Sequence, residues 1–268
     1  MNVKYSINTS KLHLSKGNRK IGNTIWSFAT VPGNSKHRPV LKDGTILSNV
    51  SGTCGKYCDG CARNGECYAW RDFMLHHNVT VKAWSENTNL LRENKAFDEI
   101  DRFITKENMR YYTTHDKKFL KIKTFRINTS GEIENLYQFE GWNKLAIKHP
   151  EVVFSVYTKA YDVVEEFLKK YDDTAPNFVV NISQWNHVAD KFLSKHIDKF
   201  NVFEYDGSNK KHHNILKEDC ERLSKIKHCP AVLKNGHHRK NKDGSLVTCD
   251  QCRRCYKKTK QVTAVYSH

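Results

Sequence analysis

The sequence predicts an α/β protein built on a parallel sheet and followed by a cysteine-rich C-terminal metal module. Short β-branched and aromatic runs alternate with helical segments of about ten residues or more, which is the pattern of βαβ units. The runs Val152-Val153-Phe154 and Phe178-Val179-Val180 are apolar without alternation, as expected of strands covered on both faces. From Lys217 the alternation stops and the chain turns basic and cysteine-rich, with turn signals at Gly236 and Asp243-Gly244.

Taken in order, residues 1–50 are polar, with turn signals at Gly17-Asn18, Pro32-Gly33-Asn34 and Asp43-Gly44. The short apolar run Ile25-Trp26-Ser27-Phe28 lies between them, and the region reads as N-terminal strands and loops packing on the core. Leu90, Leu91, Phe97, Ile100, Phe103 and Ile104 fall at helical spacings and predict one helix over 84–106, capped by Ser85. The core over 51–216 continues with strands predicted at 119–128, 152–157, 177–182 and 200–205. Helices are predicted between them at 134–149, 162–171 and 188–196. Residues 217–268 form the C-terminal cluster module. Ligand groups collect at the carboxyl ends of parallel strands. Those ends are polar here: Asn128-Thr129-Ser130-Gly131-Glu132, Thr158-Lys159, Ser183-Gln184 and Tyr205-Asp206-Gly207.

The 268 residues carry 45 Lys+Arg against 29 Asp+Glu, a net charge of +16, and 38% are hydrophobic, enough for a buried core. Disorder and a collagen repeat are excluded. No apolar run of about 18 residues exists and residues 1–17 are too polar for a signal-peptide core, so a cytoplasmic protein without a membrane partner is expected. Basic residues cluster at Lys117, Lys118, Lys121 and Lys123, at His237, His238, Arg239, Lys240 and Lys242, and at Arg253, Arg254, Lys257, Lys258 and Lys260. Such a surface is the footprint of a polyanion binder, and nucleic acid is the partner it suggests. Tyr111-Tyr112-Thr113-Thr114-His115, followed by lysines, adds aromatic rings on which bases could stack; the plainer reading is an amphipathic strand edge.

The 9 cysteines are the most informative residues. Cys54, Cys58, Cys61 and Cys67 form one group, Cys229, Cys249, Cys252 and Cys255 a second, and Cys220 is left over. An odd count, tight grouping and no export signal argue for metal ligation rather than disulfides. Three thiolates on one short loop can hold a cubane with an open iron, whereas a zinc knot would close with Cys67 as its fourth ligand; spacing alone permits both. The second group has the ligand count of a closed site, either a zinc staple fixing the C-terminus or a second iron-sulfur cluster. Two clusters of about −2 each would still leave the chain near +12.

Cys54-x3-Cys58-x2-Cys61, placed after Ile46-Leu47 and before alternating strands and helices, resembles the radical S-adenosylmethionine (radical SAM) family. The likeness extends to Phe125-Arg-Ile-Asn-Thr-Ser130-Gly131-Glu132, which is similar to that family's Gly-Gly-Glu motif with Ser130 at the first glycine. Thr158 and Ser183 stand at the next two strand ends. The resemblance implies a partial (β/α) barrel with a 4Fe-4S cluster on the cysteines, and SAM held by Ser130, Gly131, Glu132, Thr158 and Ser183. It further implies an electron donor such as flavodoxin or ferredoxin, and reductive cleavage of SAM to a 5'-deoxyadenosyl radical.

Two features depart from the pattern: Gly60 occupies the position before the third cysteine, and the aromatic instead follows a later one, in Cys67-Tyr68-Ala69. Together with Gly65-Glu66 and the terminal Cys-x2-Cys-x2-Cys, this arrangement is similar to a family of phage and mobile-element proteins called gene product 88. In that pattern the Cys-Tyr-Ala cysteine is the third member, so Cys61 and Cys67 compete for the role. No phosphate-binding lysine loop, zinc-protease helix, nucleophile elbow or deaminase signature is present. The alternative from another class is a non-catalytic zinc protein that binds nucleic acid.

Overall fold

The computed structural model describes residues 11–18, 21–36, 41, 43–60, 67–114, 121–184, 187–196, 198–206, 227–231, 233, 237, 239–260 and 262–266. Strands β1 (Ser15–Asn18) and β2 (Gly22–Ser27) form an antiparallel hairpin. Helices α1 (Tyr68–Leu75), α2 (His77–Arg92) and α3 (Ala96–Thr114) follow. The alternating part comprises β3 (Thr124–Ile127), α4 (Leu136–Lys148), β4 (Val153–Thr158), α5 (Tyr161–Tyr171), β5 (Phe178–Gln184), α6 (His187–His196) and β6 (Asn201–Asp206). After it come β7 (Lys227–His228), the short α7 (Cys249–Cys252) and β8 (Val262–Tyr266). All strands join one 8-stranded open sheet in the order β1-β2-β3-β4-β5-β6-β8-β7, parallel from β2 onward.

The strand order from β2 to β6 is consecutive, and the sheet has one apolar and one polar face. Phe125, Phe154 and Phe178 are in register across β3, β4 and β5. Against this row α4 sets Trp142, 6.1 Å from Phe125, and Phe139, 5.3 Å from Phe178. Phe139 also meets Phe167 of α5, and Phe192 of α6 meets Tyr161 of α5. Burying each such ring stabilises the fold by about 1.5–3 kcal/mol. On the other face Arg126 is in register with Ser155, and Tyr157 with Asn181 and Asn201. Both faces are covered as the apolar runs predict, but the polar face is covered by the chain's own segment around residues 249–260 rather than by helices.

The sheet is open rather than closed into a barrel. The helix expected over 84–106 is in fact two, α2 and α3, separated where Asn94 takes a left-handed backbone with φ 61°. Ser85 is no cap but an interior residue of α2, its hydroxyl 2.8 Å from that of Ser48. Tyr111 and Tyr112 stand exposed near the end of α3, not on a strand edge, and the Lys121 ammonium lies 5.1 Å from the Tyr112 ring. Trp142 is wholly buried, whereas Trp185 lies outside the described residues. Among the described residues no helix is long and apolar enough to cross a membrane.

Candidate metal centres

The first cysteine group is carried to the C-terminal end of β2 and β3 by backbone pairing that continues past both strands. Phe28 N–H donates to the Arg126 carbonyl and Thr30 N–H to the Ser130 carbonyl, each at 3.0 Å. A returning segment adds to this edge, with Thr53 N–H on the Val31 carbonyl (2.9 Å) and Cys54 N–H on the Gly33 carbonyl (2.8 Å). A 3-10 turn over Gly55–Gly60 then places Cys58 in the interior. Cys67 is the N-cap of α1, and its sulfur accepts a hydrogen bond from Trp70 N–H at 3.3 Å. Burial pushes the Cys54 thiol well above its ordinary pKa; the Glu132 carboxylate and the nearby Cys58 and Cys67 push it further. Cys54, Cys58 and Cys67 are therefore grouped, whereas Cys61 and Cys220 lie outside the described residues.

Ser130, Gly131 and Glu132 adjoin this group. Gly131 has φ +82°, and a Cβ there would fall 1.9 Å from Thr30 Oγ1 and 2.3 Å from Thr53 Oγ1. Those two hydroxyls are 3.0 Å apart, and Thr53 Oγ1 also accepts Glu132 N–H at 2.8 Å. The Glu132 carboxylate is buried, with Oε1 accepting from Thr158 Oγ1 (2.7 Å) and Ile133 N–H (2.9 Å), and Oε2 from Lys159 N–H (2.7 Å). Burial raises its pKa and outweighs these hydrogen bonds, which favour the charged form. Thr158 is thereby tied to Glu132, while the Ser183 carbonyl accepts the Tyr161 hydroxyl at 2.5 Å. Beside them the Ser130 hydroxyl and both amide atoms of Asn128 find no hydrogen-bond partner among the described residues, at 3% and 6% exposure. Asn128 also takes a left-handed backbone, φ 47°.

The second group lies on the polar face of the sheet. Cys229 follows β7, Cys249 and Cys252 are the ends of α7, and Cys255 sits in a 3-10 turn over Arg254–Tyr256. The charges of all four act on one another. Burial lifts Cys249 to about 11 and also raises Cys255, against which the nearby Tyr157 hydroxyl works in the other direction. The Arg126 guanidinium lies 5.0 Å from the Tyr157 ring and lowers the cost of charge at both Cys249 and Cys255.

The backbone here is clasped by strand side chains. The Cys255 carbonyl accepts from Ser155 Oγ (3.0 Å) and Asn181 Nδ2 (3.2 Å). Asn201 donates to the Lys257 carbonyl (2.8 Å) and accepts from Thr259 N–H (2.9 Å) and Lys260 N–H (2.8 Å). Asp250 N–H bonds the Ile21 carbonyl at 3.0 Å, and its carboxylate fills the space a Cβ on Gly22 would need.

Among the described residues no three His, Cys, Asp or Glu side chains form a ready-made metal site. The donor chemistry nevertheless fits a thiophilic metal in both places, because grouped thiols partly or wholly out of water ionise readily only against a cation. Sequence reasoning missed Arg126, Tyr157, Ser155 and Asn201. No local signal marks them, because a polar residue inside a strand takes on meaning only once the register of the sheet is known. No curated protein and no solved structure matches the chain at a significant level. The family model described as gene product 88 matches residues 12–258, and by that match over most of its length the chain belongs to the gene product 88 family.

Proposed function

We propose that the chain is a radical SAM-like iron-sulfur enzyme of a phage or mobile element. The observation that carries this reading is the gathering of Cys54, Cys58 and Cys67 beside the unpartnered Ser130 hydroxyl and Asn128 amide, at the carboxyl end of parallel strands. That edge is where ligands of α/β folds bind. Cys54, Cys58 and Cys67 would hold a 4Fe-4S cluster on three thiolates, and the consecutive β2-to-β6 order supports a core related to a partial barrel. When bound, the cluster and SAM supply an electron and a 5'-deoxyadenosyl radical. The chain's own residues bind and shield: Ser130 and Asn128 offer free hydrogen-bonding capacity to the methionine end of SAM. Glu132 braces the strand ends through Thr158 and Lys159. The charge of +16 and the exposed Tyr111 and Tyr112 favour nucleic acid as the substrate.

The second reading, a zinc-stapled nucleic-acid binder, is favoured by the four grouped thiols of the C-terminal segment. Anaerobic purification with iron, sulfide and zinc quantification separates the two. About four or about eight irons per chain, with an electron paramagnetic resonance spectrum that changes on adding SAM, is the expected result. Cys54→Ala and Cys58→Ala should then abolish both the brown absorbance and SAM cleavage. Stoichiometric zinc without sulfide would overturn the enzyme in favour of the zinc protein.

A further inference from the structure

We propose that Arg126, with the Tyr157 hydroxyl, is the built-in counter-charge of the C-terminal cysteine centre, a positioning pair that sets how tightly Cys229, Cys249, Cys252 and Cys255 hold a metal. This rests on the reading of that group as a metal centre, and it holds whether the metal is zinc or an iron-sulfur cluster. Four thiolates around a divalent ion, or around an oxidised 4Fe-4S cluster, leave a net charge of about −2. A charge of that size under a protein surface needs a compensating cation, since burial of an unpaired ion is costly.

The chain places a guanidinium there. Arg126 projects from β3 in register with Ser155 of β4, and its guanidinium lies 5.0 Å from the ring of Tyr157 on the same strand as Ser155. The Cys255 backbone lies over these side chains, its carbonyl held by Ser155 Oγ at 3.0 Å, which brings the Tyr157 hydroxyl beside the Cys255 thiol. A guanidinium and a hydroxyl, both on sheet strands, therefore back the centre. Outer partners of this kind orient ligands and tune their basicity.

The cysteine loop is also tied to the sheet by hydrogen bonds. Ser155 and Asn181 fix the Cys255 carbonyl, Asn201 fixes residues 257–260, and Arg253 donates to Thr124 Oγ1 at 2.9 Å. The metal's ligands are delivered by the fold, and Arg126 acts on metal affinity rather than on attachment.

The test uses cobalt(II) as probe on demetallated full-length protein with the first centre silenced by Cys54→Ser and Cys58→Ser, so that thiolate-to-cobalt absorbance reports the C-terminal centre alone. Arg126→Met should weaken cobalt binding about 10–100-fold, the usual loss on removing an outer partner. Arg126→Lys should restore most of it, and Tyr157→Phe should weaken binding by less than Arg126→Met. Thermal melts of the metal-free variants should match that of the metal-free parent, which a merely structural role for Arg126 would not allow. Equal cobalt affinity in Arg126→Met and parent would overturn the inference. Should Arg126→Met not fold, equal affinity in Tyr157→Phe and parent would overturn it instead. Absence of thiolate-to-cobalt bands in the parent, unchanged by Cys249→Ser, would sink the underlying reading of a metal centre.

Discussion

At Gly131 three separate pieces of chain meet: Thr30 beyond β2, Thr53 beside Cys54, and the turn leading to Glu132. Any side chain there would strike both threonine hydroxyls and would have to adopt a left-handed backbone as well. Gly131→Ala should therefore cost about 2–5 kcal/mol by chemical denaturation, combining overpacking with left-handed strain. On the proposed reading it should also loosen metal binding at Cys54, because Thr53 is displaced with it. A loss of a few tenths of a kcal/mol would show that the threonines can move aside. Ser-Gly-Glu stands out in the sequence as a strand-end motif, but its neighbours do not. The contact that demands glycine joins residues about 100 apart along the chain, and no local pattern encodes it.

Among elements, the alternation of strands and helices from α4 to β6 was legible to within one or two residues, because apolar periodicity and burial agree there, whereas β3 is the four residues Thr124–Ile127 within the longer strand expected over 119–128. The α2–α3 break was not. Leu90 to Ile104 keep a helical spacing through it, and the interruption comes from the left-handed turn at Asn94, a residue that also fits inside helices. The two helices face different neighbours: α2 carries Asn87 and Thr88 to the first-centre loops, while α3 is tied to the end of α4. That tie is Asp101, which accepts from Lys148 Nζ (2.6 Å) and pairs with His149 Nε2 (2.8 Å). Burial works against its charge, but the hydrogen bonds from Lys148 and His149 win and hold its pKa below the ordinary 3.8. A depressed folded-state pKa means stability that is present above 3.8 and lost as pH falls through the lower folded value. Asp101→Asn should thus destabilise the protein by about 1–3 kcal/mol at neutral pH. In denaturation series at decreasing pH the deficit should shrink below 3.8; a pH-independent deficit would contradict the assignment.

For the whole molecule, the sequence separates a β/α core from a cysteine-rich segment, and the structure shows how closely the second is joined to the first. Strands β7 and β8 complete the sheet, and residues 249–260 cover its polar face. Asn201 is the chief clasp, bonding Asn181 Oδ1 (3.1 Å), the Lys257 carbonyl and the amides of Thr259 and Lys260. Asn201→Ala strips these groups, part-buried except for Asn181 Oδ1, of partners and should cost about 1–3 kcal/mol, with faster hydrogen exchange at Thr259 and Lys260. Unchanged exchange there would mean that other contacts suffice. The docking was hidden from the sequence because Ser155, Asn181 and Asn201 look like ordinary strand polar residues until their register is known.

The position of β8 sets an order of events. Strands β2 to β6 pair with neighbours already made, so that part of the sheet can form as the chain leaves the ribosome. By contrast, β7 pairs with β8, which follows it by more than thirty residues and slots between β7 and β6. Cys229 and the cysteines of α7 and the turn after it therefore come together only after β2 to β6 have been made. A metal held by these cysteines, as proposed above, would therefore be taken up after the core strands are made rather than before them.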